Sequence, residues 1–445
     1  MNGSLFFFFV LRIYCKNGFL THDKRFFHAE IFCFSRRKLR EVFGAAGFFT
    51  PTNNVGVHSN RQEYFKIDSH RRQTAHARTG VRILLPIVLL LTLTAAAVGQ
   101  GKYYFYTGKD FGSESTINPG SLLINGGYDI LQSATHSRVI STINFRAGAT
   151  NVWNNLKDPV TQIEKYGWGR FIGHEIFPTS LKLEKAQWFP NYTLHFLGGG
   201  MDARMMYEWY MYHGFEYPAL YAGLTVAAYH FVNESVENDI YQGPNVDPIA
   251  DIYFFNFTGA LLFTSDAVAK FFSHTLHMTA WPGQPAWNPT YNTLENNGQY
   301  YIMKYKLPWA DRTSLFYHFG DNGMLGLSYR HNENESVTMS AGFAARELRH
   351  VDVETSVRTV TVSLGWIAGL FYDKDNSVLA SLMASNRINE KLRLNIYPGV
   401  FRLLNVSPGF FASIGRGDHF IAGITLRFLP FGLAYRSKTP PPPTL

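Results

Sequence analysis

The stretch that decides the fold reads Val357-Arg-Thr-Val-Thr-Val-Ser-Leu-Gly-Trp-Ile-Ala368. Val360, Val362, Leu364 and Trp366 alternate with Thr359, Thr361, Ser363 and Gly365. Successive side chains of a strand point to opposite faces, so a period of two marks a sheet with one apolar face. The same period recurs on both sides. Leu392, Leu394 and Ile396 alternate with Lys391, Arg393 and Asn395. Phe420, Ala422, Ile424, Leu426 and Phe428 alternate with Ile421, Gly423, Thr425 and Arg427. Similar runs occupy 299–306, 313–319, 324–330, 336–345 and 378–386. Between the runs lie Gly320-Asp-Asn-Gly323, His331-Asn-Glu-Asn-Glu335, Asp373-Lys-Asp-Asn376 and Gly415-Arg-Gly-Asp418, all turn chemistry. Strands of this length joined by tight polar turns predict an antiparallel sheet closing on itself over 299–436.

Such a barrel can close in two ways. In water the apolar set points inward; in a bilayer it points outward, around a polar interior. The partners of the apolar residues here are Thr, Ser, Gly, Arg and Asn, and the chain is rich in aromatic residues (16%) and poor in charge (17%). These features favour the outer-membrane type. The Pro-rich tail 437–445 argues the other way, because such barrels often end on an aromatic strand.

The formal charge of +8 and the two cysteines are concentrated at the start of the chain. Residues 1–99 hold 14 Lys+Arg against 5 Asp+Glu, together with Cys15 and Cys33, and the rest is nearly neutral and cysteine-free. Nucleic acid is therefore not an expected partner of the remainder, and thiol catalysis, thiolate metal sites and disulfides are excluded there. Residues 83–98 are uncharged and apolar, follow Arg78 and Arg82, and end in Ala97-Val98-Gly99. A basic flank, a short apolar run and a small-x-small end predict a signal peptide over 80–99. Residues 1–79 show no sustained period and read as a mis-assigned or disordered extension.

Residues 100–149 are expected to hold short strands, among them Lys102-Tyr-Tyr-Phe-Tyr106 and Ser137-Arg-Val-Ile-Ser-Thr-Ile143, with turns at Asn118-Pro-Gly120 and Asn125-Gly-Gly127. From 150 to 275 the spacing is helical. Runs at 151–157 and 160–166 are broken at Pro159, and long apolar-aromatic stretches follow at 192–213, 217–238 and 247–271. None has eighteen uncharged apolar residues, so a helical membrane span is not expected. Residues 276–298 read as a linker.

Polar residues on apolar helices need partners, because an unpaired buried polar group costs roughly 1–3 kcal/mol. His174 and Glu175, His195, the i,i+4 pair Arg204/Glu208, and the stripe His230, Asn233, Glu234, Glu237 are such residues. Asp247 and Asp251 are also four apart, and Asp247 before Pro248 reads as a helix cap. Stripes on three helices predict a shared polar network. The plain expectation is a set of ion pairs, Arg204 with Glu208 or Glu234 and His230 with a carboxylate. The chemical alternative is a site built from His195, His230, Glu234 and Asp251, with Ser235 the one close nucleophile. Neither a metal nor another cofactor is expected. Were a metal held, His230, Glu234 and Glu237 would be its ligands, but the spacing matches no metal-binding motif.

The order Gly173-His174-Glu175, His195-Phe196-Leu-Gly-Gly, Arg204, Glu208, Asn233-Glu234, Glu237, Asp251 and Gly259 resembles an uncharacterised bacterial envelope family that carries a domain of unknown function. The resemblance covers roughly 150–270 and implies export to the envelope, not a reaction. The combined expectation is an α+β protein: an antiparallel outer-membrane-type barrel with a helical insertion packed on or in it. It would be exported to the bacterial outer membrane or periplasm and contact membrane lipid, in a structural or transport-like role. The rival is an envelope enzyme acting on lipid or glycan.

Overall fold

The computed structural model describes residues 102–133, 136–178, 189–239, 245–353, 357–387, 390–415, 417, 419–427, 429–440 and 442, with only the backbone of 347–353 and 357–362. The expected extension and signal peptide lie outside the described residues.

The sheet has thirteen strands: β1 (Thr279–Ala280), β2 (Ala286–Asn288), β3 (Thr293–Glu295), β4 (Tyr301–Lys306), β5 (Thr313–Phe319), β6 (Asn322–Arg330), β7 (Glu335–Val353), β8 (Val357–Lys374), β9 (Ser377–Ser385), β10 (Leu392–Ile396), β11 (Pro408–Ile414), β12 (Phe420–Leu426) and β13 (Gly432–Arg436). Strands β4 to β13 pair in sequence order, each antiparallel to the next, while β2 joins β13 in parallel. The order of neighbours begins at β1 and ends at β3, so the ladders form an open, mixed sheet rather than the expected closed antiparallel ring.

The segment expected as a linker is instead a hairpin. Thr279 faces Ile302, Ala280 faces Tyr301, Ala286 faces Glu295 and Asn288 faces Thr293. Between these pairs, Trp281 N–H donates to Tyr300 O and Gly283 N–H to Gly298 O in the same register. Pro282 and Pro285 lack the N–H a ladder needs, which interrupts the pairing without ending it. One end of this hairpin meets β5 through β4, and the other meets β13 through β2.

The two faces of the sheet are inverted relative to a water-soluble one. Leu325, Leu327, Met339, Phe343, Trp366, Leu433 and Tyr435 are exposed, whereas their neighbours Ser328, Thr338 and Arg436 are buried. In β10, Leu392 and Leu394 are exposed while Arg393 and Asn395 are buried. The buried charges are paired. Arg436 grips Glu295 through two hydrogen bonds of 2.7 and 3.0 Å, and Arg138 reaches the same carboxylate at 3.1 Å. Glu390 takes Arg393 at 3.1 Å, Asp321 takes Arg387 at 2.7 Å, and Asp373 takes Lys304 at 2.6 Å. The same face also holds an apolar cluster around Trp281, Phe316 and Phe371.

The helical region comprises α1 (Pro119–Gly127), α2 (Phe145–Leu156), α3 (Pro159–Tyr166), α4 (Gly199–Tyr212), α5 (Pro218–Glu237), α6 (Phe257–Phe263) and α7 (Asp266–Lys270). The break at Pro159 falls where expected, with Pro159 opening α3. Met201, Met205 and Trp209 of α4 pack with Val226 and Tyr229 of α5, Phe263 of α6, and Tyr301 and Phe319 of the sheet.

The strands expected in 100–149 do not form. Glu208 Oε2 accepts the N–H groups of Tyr104, Phe105 and Tyr106 at 2.7–2.9 Å, which takes the donors a strand would offer to a neighbour. Val139 makes a single bridge, to Thr293. Asn118 is the N-cap of α1, with Ser121 completing a capping box and Pro119 in the first turn, so its Asn-Pro-Gly is a helix start rather than a turn. Asn125-Gly-Gly127 is the last turn of the same helix, where Gly126 and Gly127 lie against Tyr229 and Val232 of α5.

Glu295→Ala should destabilise the protein by about 3–5 kcal/mol, because it leaves Arg138 and Arg436 buried without their shared carboxylate; denaturant unfolding monitored by tyrosine and tryptophan fluorescence reads this directly. Asp202 on α4 supplies a second test. It accepts hydrogen bonds from Tyr229, Tyr301 and Gln299, yet burial raises its pKa to about 7. The unfolded chain loses this proton first, so stability should fall as pH rises from about 4 to about 7 and level off above. Asp202→Asn should flatten that slope by up to one proton, measured as unfolding midpoint against pH.

Candidate functional site

Helix α5 places His230, Glu234 and Glu237 on one face, as the 3.6-residue repeat requires. The groups opposite them come from more widely wound backbone. Glu175 lies in the π-helical segment Phe171–Ile176, His195 in Phe189–Gly198, and Asp251 and Asn256 in Ala250–Asn256. A π turn shifts side chains off the α-helical face, and such turns recur at functional sites.

These segments converge through close backbone packing. Gly200 of α4 lies against the carbonyl of Gly259, where a Cβ would sit 2.7 Å away, and a Cβ on Gly259 would collide with the carbonyl of Phe196. The Gly198-Gly-Gly200 run therefore lets helices approach. Asn191 donates to Glu175 O at 2.9 Å, and Tyr192 to Ile176 O at 2.7 Å, tying two π-helical segments together.

His195 Nε2 stands 3.3 Å from Asp251 Oδ2, and the rings of His195 and His230 are 5.7 Å apart. One ligand atom each from His195, Glu234 and Asp251 lies within 4.8 Å of the others. Glu234 also belongs to a second such set with Glu237 and Asp247. His230 Nε2 and Asp251 Oδ1 are buried with no hydrogen-bond partner, while Asn256 lies beside His195 and Tyr166 beside Glu175. Burial shifts every titration toward the neutral form. Desolvation pushes His195 down to about 4 and His230 well below its usual range. It raises Glu175 to about 8 and Asp251 well above the carboxylate range, with Asp247 adding like-charge repulsion in both cases.

The expected polar network is thus divided. Arg204 pairs with Glu208 at 2.8 Å, as expected, and with Asp266 at 2.9 Å, but this group clamps residues 102–106 and stands apart from Glu234. Asn233 donates to Asp129 and to Gly126 O. His174 is exposed, with Tyr166 OH 3.4 Å away. Among the described residues His230 pairs with no carboxylate; its ring contacts are Tyr229 and His195. Ser235 Oγ donates to Phe231 O of its own helix at 2.6 Å rather than to an imidazole. Asp247 is the first residue of its helical turn, not the cap, a position held by Val246. Of the metal trio considered from spacing, Glu234 and Glu237 fall in one ligand set, but His195 rather than His230 supplies the imidazole near Glu234.

A groove between α4, α5 and α6 has His230 and Asn256 among its lining residues. Its cavity volume is about 80 Å³. Ala203, Ala222, Gly223, Ala227 and Ala260 keep it open, and Val226, Ile252 and Phe263 make its walls apolar. Arg204, Tyr207 and Thr264 supply polar groups elsewhere on its lining.

No protein-family model, no curated protein and no solved structure matches this chain. Chemically, the centre offers neutral imidazoles and carboxylates of raised proton affinity, with His230 also lining an apolar groove. Such a set can move protons or bind a cation.

Gly259→Ala should lower stability by about 1–3 kcal/mol, because the Phe196 backbone beside His195 must move. Gly173→Ala, with nothing within 4 Å of its Cβ, is the control expected to change little. Thermal unfolding of the two variants separates these outcomes.

Proposed function

We propose that the protein is an exported envelope protein whose sheet forms an outer-membrane-type barrel, with the helical region packed against it. The carrying observation is the inverted sheet. A face with Leu325, Leu327, Met339, Phe343 and Trp366 turned outward fits hydrocarbon, while Arg393, Arg436, Glu295 and Glu390 turned inward fit a polar lumen. Closure would run through the hairpin of β1–β2 and β3–β4, which touches both ends of the β5–β13 run. Gly432 N–H donating to Pro285 O adds to the contact at the β13 end. Among the described residues no single helix is long and apolar enough to cross a membrane, so on this reading the sheet is the embedded part.

The role is structural in the first instance. Trp281 and the Arg138–Glu295–Arg436 bonds occupy the inner side, which favours a barrel that anchors over one that conducts. The protein should fractionate with outer membranes and migrate faster on gels when left unheated. Recovery from the periplasm without detergent would defeat the proposal.

A second reading, an envelope enzyme acting on lipid, is favoured by one observation: the apolar groove is lined by His230, whose ring stands 5.7 Å from that of His195. If the groove takes an acyl chain, Gly223→Trp should abolish binding of a fluorescent fatty acid and leave barrel migration unchanged.

A further inference from the structure

We propose that His195, Glu234 and Asp251 form a binding site for a divalent transition-metal ion. The site rests on the geometry of the helical region and is independent of the barrel and lipid readings. Three residues from three separate segments bring one nitrogen and two oxygens within 4.8 Å of one another. A tetrahedral ion with bonds of about 2.1 Å holds its ligands about 3.4 Å apart, so inward movements of about an ångström complete the set. His195 Nε2 and Asp251 Oδ2 are already at 3.3 Å.

Two further observations point to a ligand. Asp251 is 4% exposed and its Oδ1 has no hydrogen-bond partner; nearby, His230 Nε2 is buried without one. The strongest charges acting on Asp251 among the described residues are four carboxylates, Asp247, Glu234, Glu175 and Glu237. Buried carboxylates gathered in this way are ordinarily paired or coordinated to metal. A donor set of imidazole and carboxylates suits zinc, manganese or ferrous iron better than calcium or magnesium, which prefer all-oxygen sites. Glu234 also faces Glu237 and Asp247. Substitutions at His195 and Asp251 therefore remove ligands of the first set while leaving every ligand of the second in place.

The test uses the full-length protein, stripped with chelator, reloaded separately with Zn²⁺ and Mn²⁺, desalted and analysed for metal. About one equivalent of ion per chain is expected, with a rise in unfolding temperature on loading. Asp251→Asn and His195→Gln should each weaken binding at least tenfold while keeping the far-ultraviolet circular dichroism of the parent. Glu216→Gln, an exposed position, should bind as the parent does. Cobalt substitution of the unmutated protein supplies a second measurement that does not depend on the variants folding, since the visible bands of an imidazole–carboxylate site are expected. Less than a tenth of an equivalent retained, equal binding by Asp251→Asn and His195→Gln, or the absence of cobalt bands would overturn the proposal.

Discussion

The burial of Arg393, Arg436, Glu295 and Glu390 against one side of the sheet is the constraint on which the rest of the structure depends. Ions removed from water cost several kcal/mol each unless they are paired and hydrogen-bonded. The pairing here is dense. Glu295 takes Arg138 and Arg436, Glu390 takes Arg393 and shares Arg138, and Lys304 and Arg387 each have a carboxylate. Arg138 reaches this set from outside the sheet, and Glu295 comes from the hairpin that meets both β5 and β13 through its arms. The charges thus fix where the N-terminal segment and the hairpin lie. They also leave the alternating apolar residues the opposite face, where Leu392, Leu394, Leu433 and Tyr435 are exposed.

The helical region solves a different problem. Its centre gathers carboxylates and imidazoles where desolvation favours neutral forms. The charges on the sheet meet opposite charges, whereas the strongest charges acting on Asp251 among the described residues are carboxylates like itself. That difference separates a network of ion pairs from a centre of like charges. Close approaches at Gly200 and Gly259, and three π-helical segments, hold this arrangement in place.

Much of the sheet is legible in the chain, because period two survives wherever one face is apolar. The runs at 313–319, 378–386 and 391–396 coincide with β5, β9 and β10 to within a residue or so. The strands at Pro408–Ile414 and Gly432–Arg436 escape such a reading because they are short and carry Gly, Ala or Pro among their apolar residues. The hairpin over 279–302 escapes it because Trp281-Pro-Gly-Gln-Pro285 has turn composition, and its pairing shows only in the register. Helices at 145–156, 159–166 and 218–237 follow from spacing and from proline. Strand-like aromatic runs at 102–106 mislead because a distant carboxylate, Glu208, takes their N–H groups.

The sequence by itself determined that apolar and polar residues alternate along the second half, that the helices carry polar stripes, and that the basic excess and both cysteines belong to residues 1–99. These are properties of neighbouring residues, and chain periodicity encodes them. Only the tertiary structure decided which stripes meet. It sent Arg204 and Glu208 to clamp residues 102–106, left His174 at the surface, and brought His195 beside Asp251. Those partnerships join residues tens to more than a hundred positions apart, and π-helical turns rotate several of them off the faces an α-helical count assigns. Spacing along one helix holds no record of what stands opposite it.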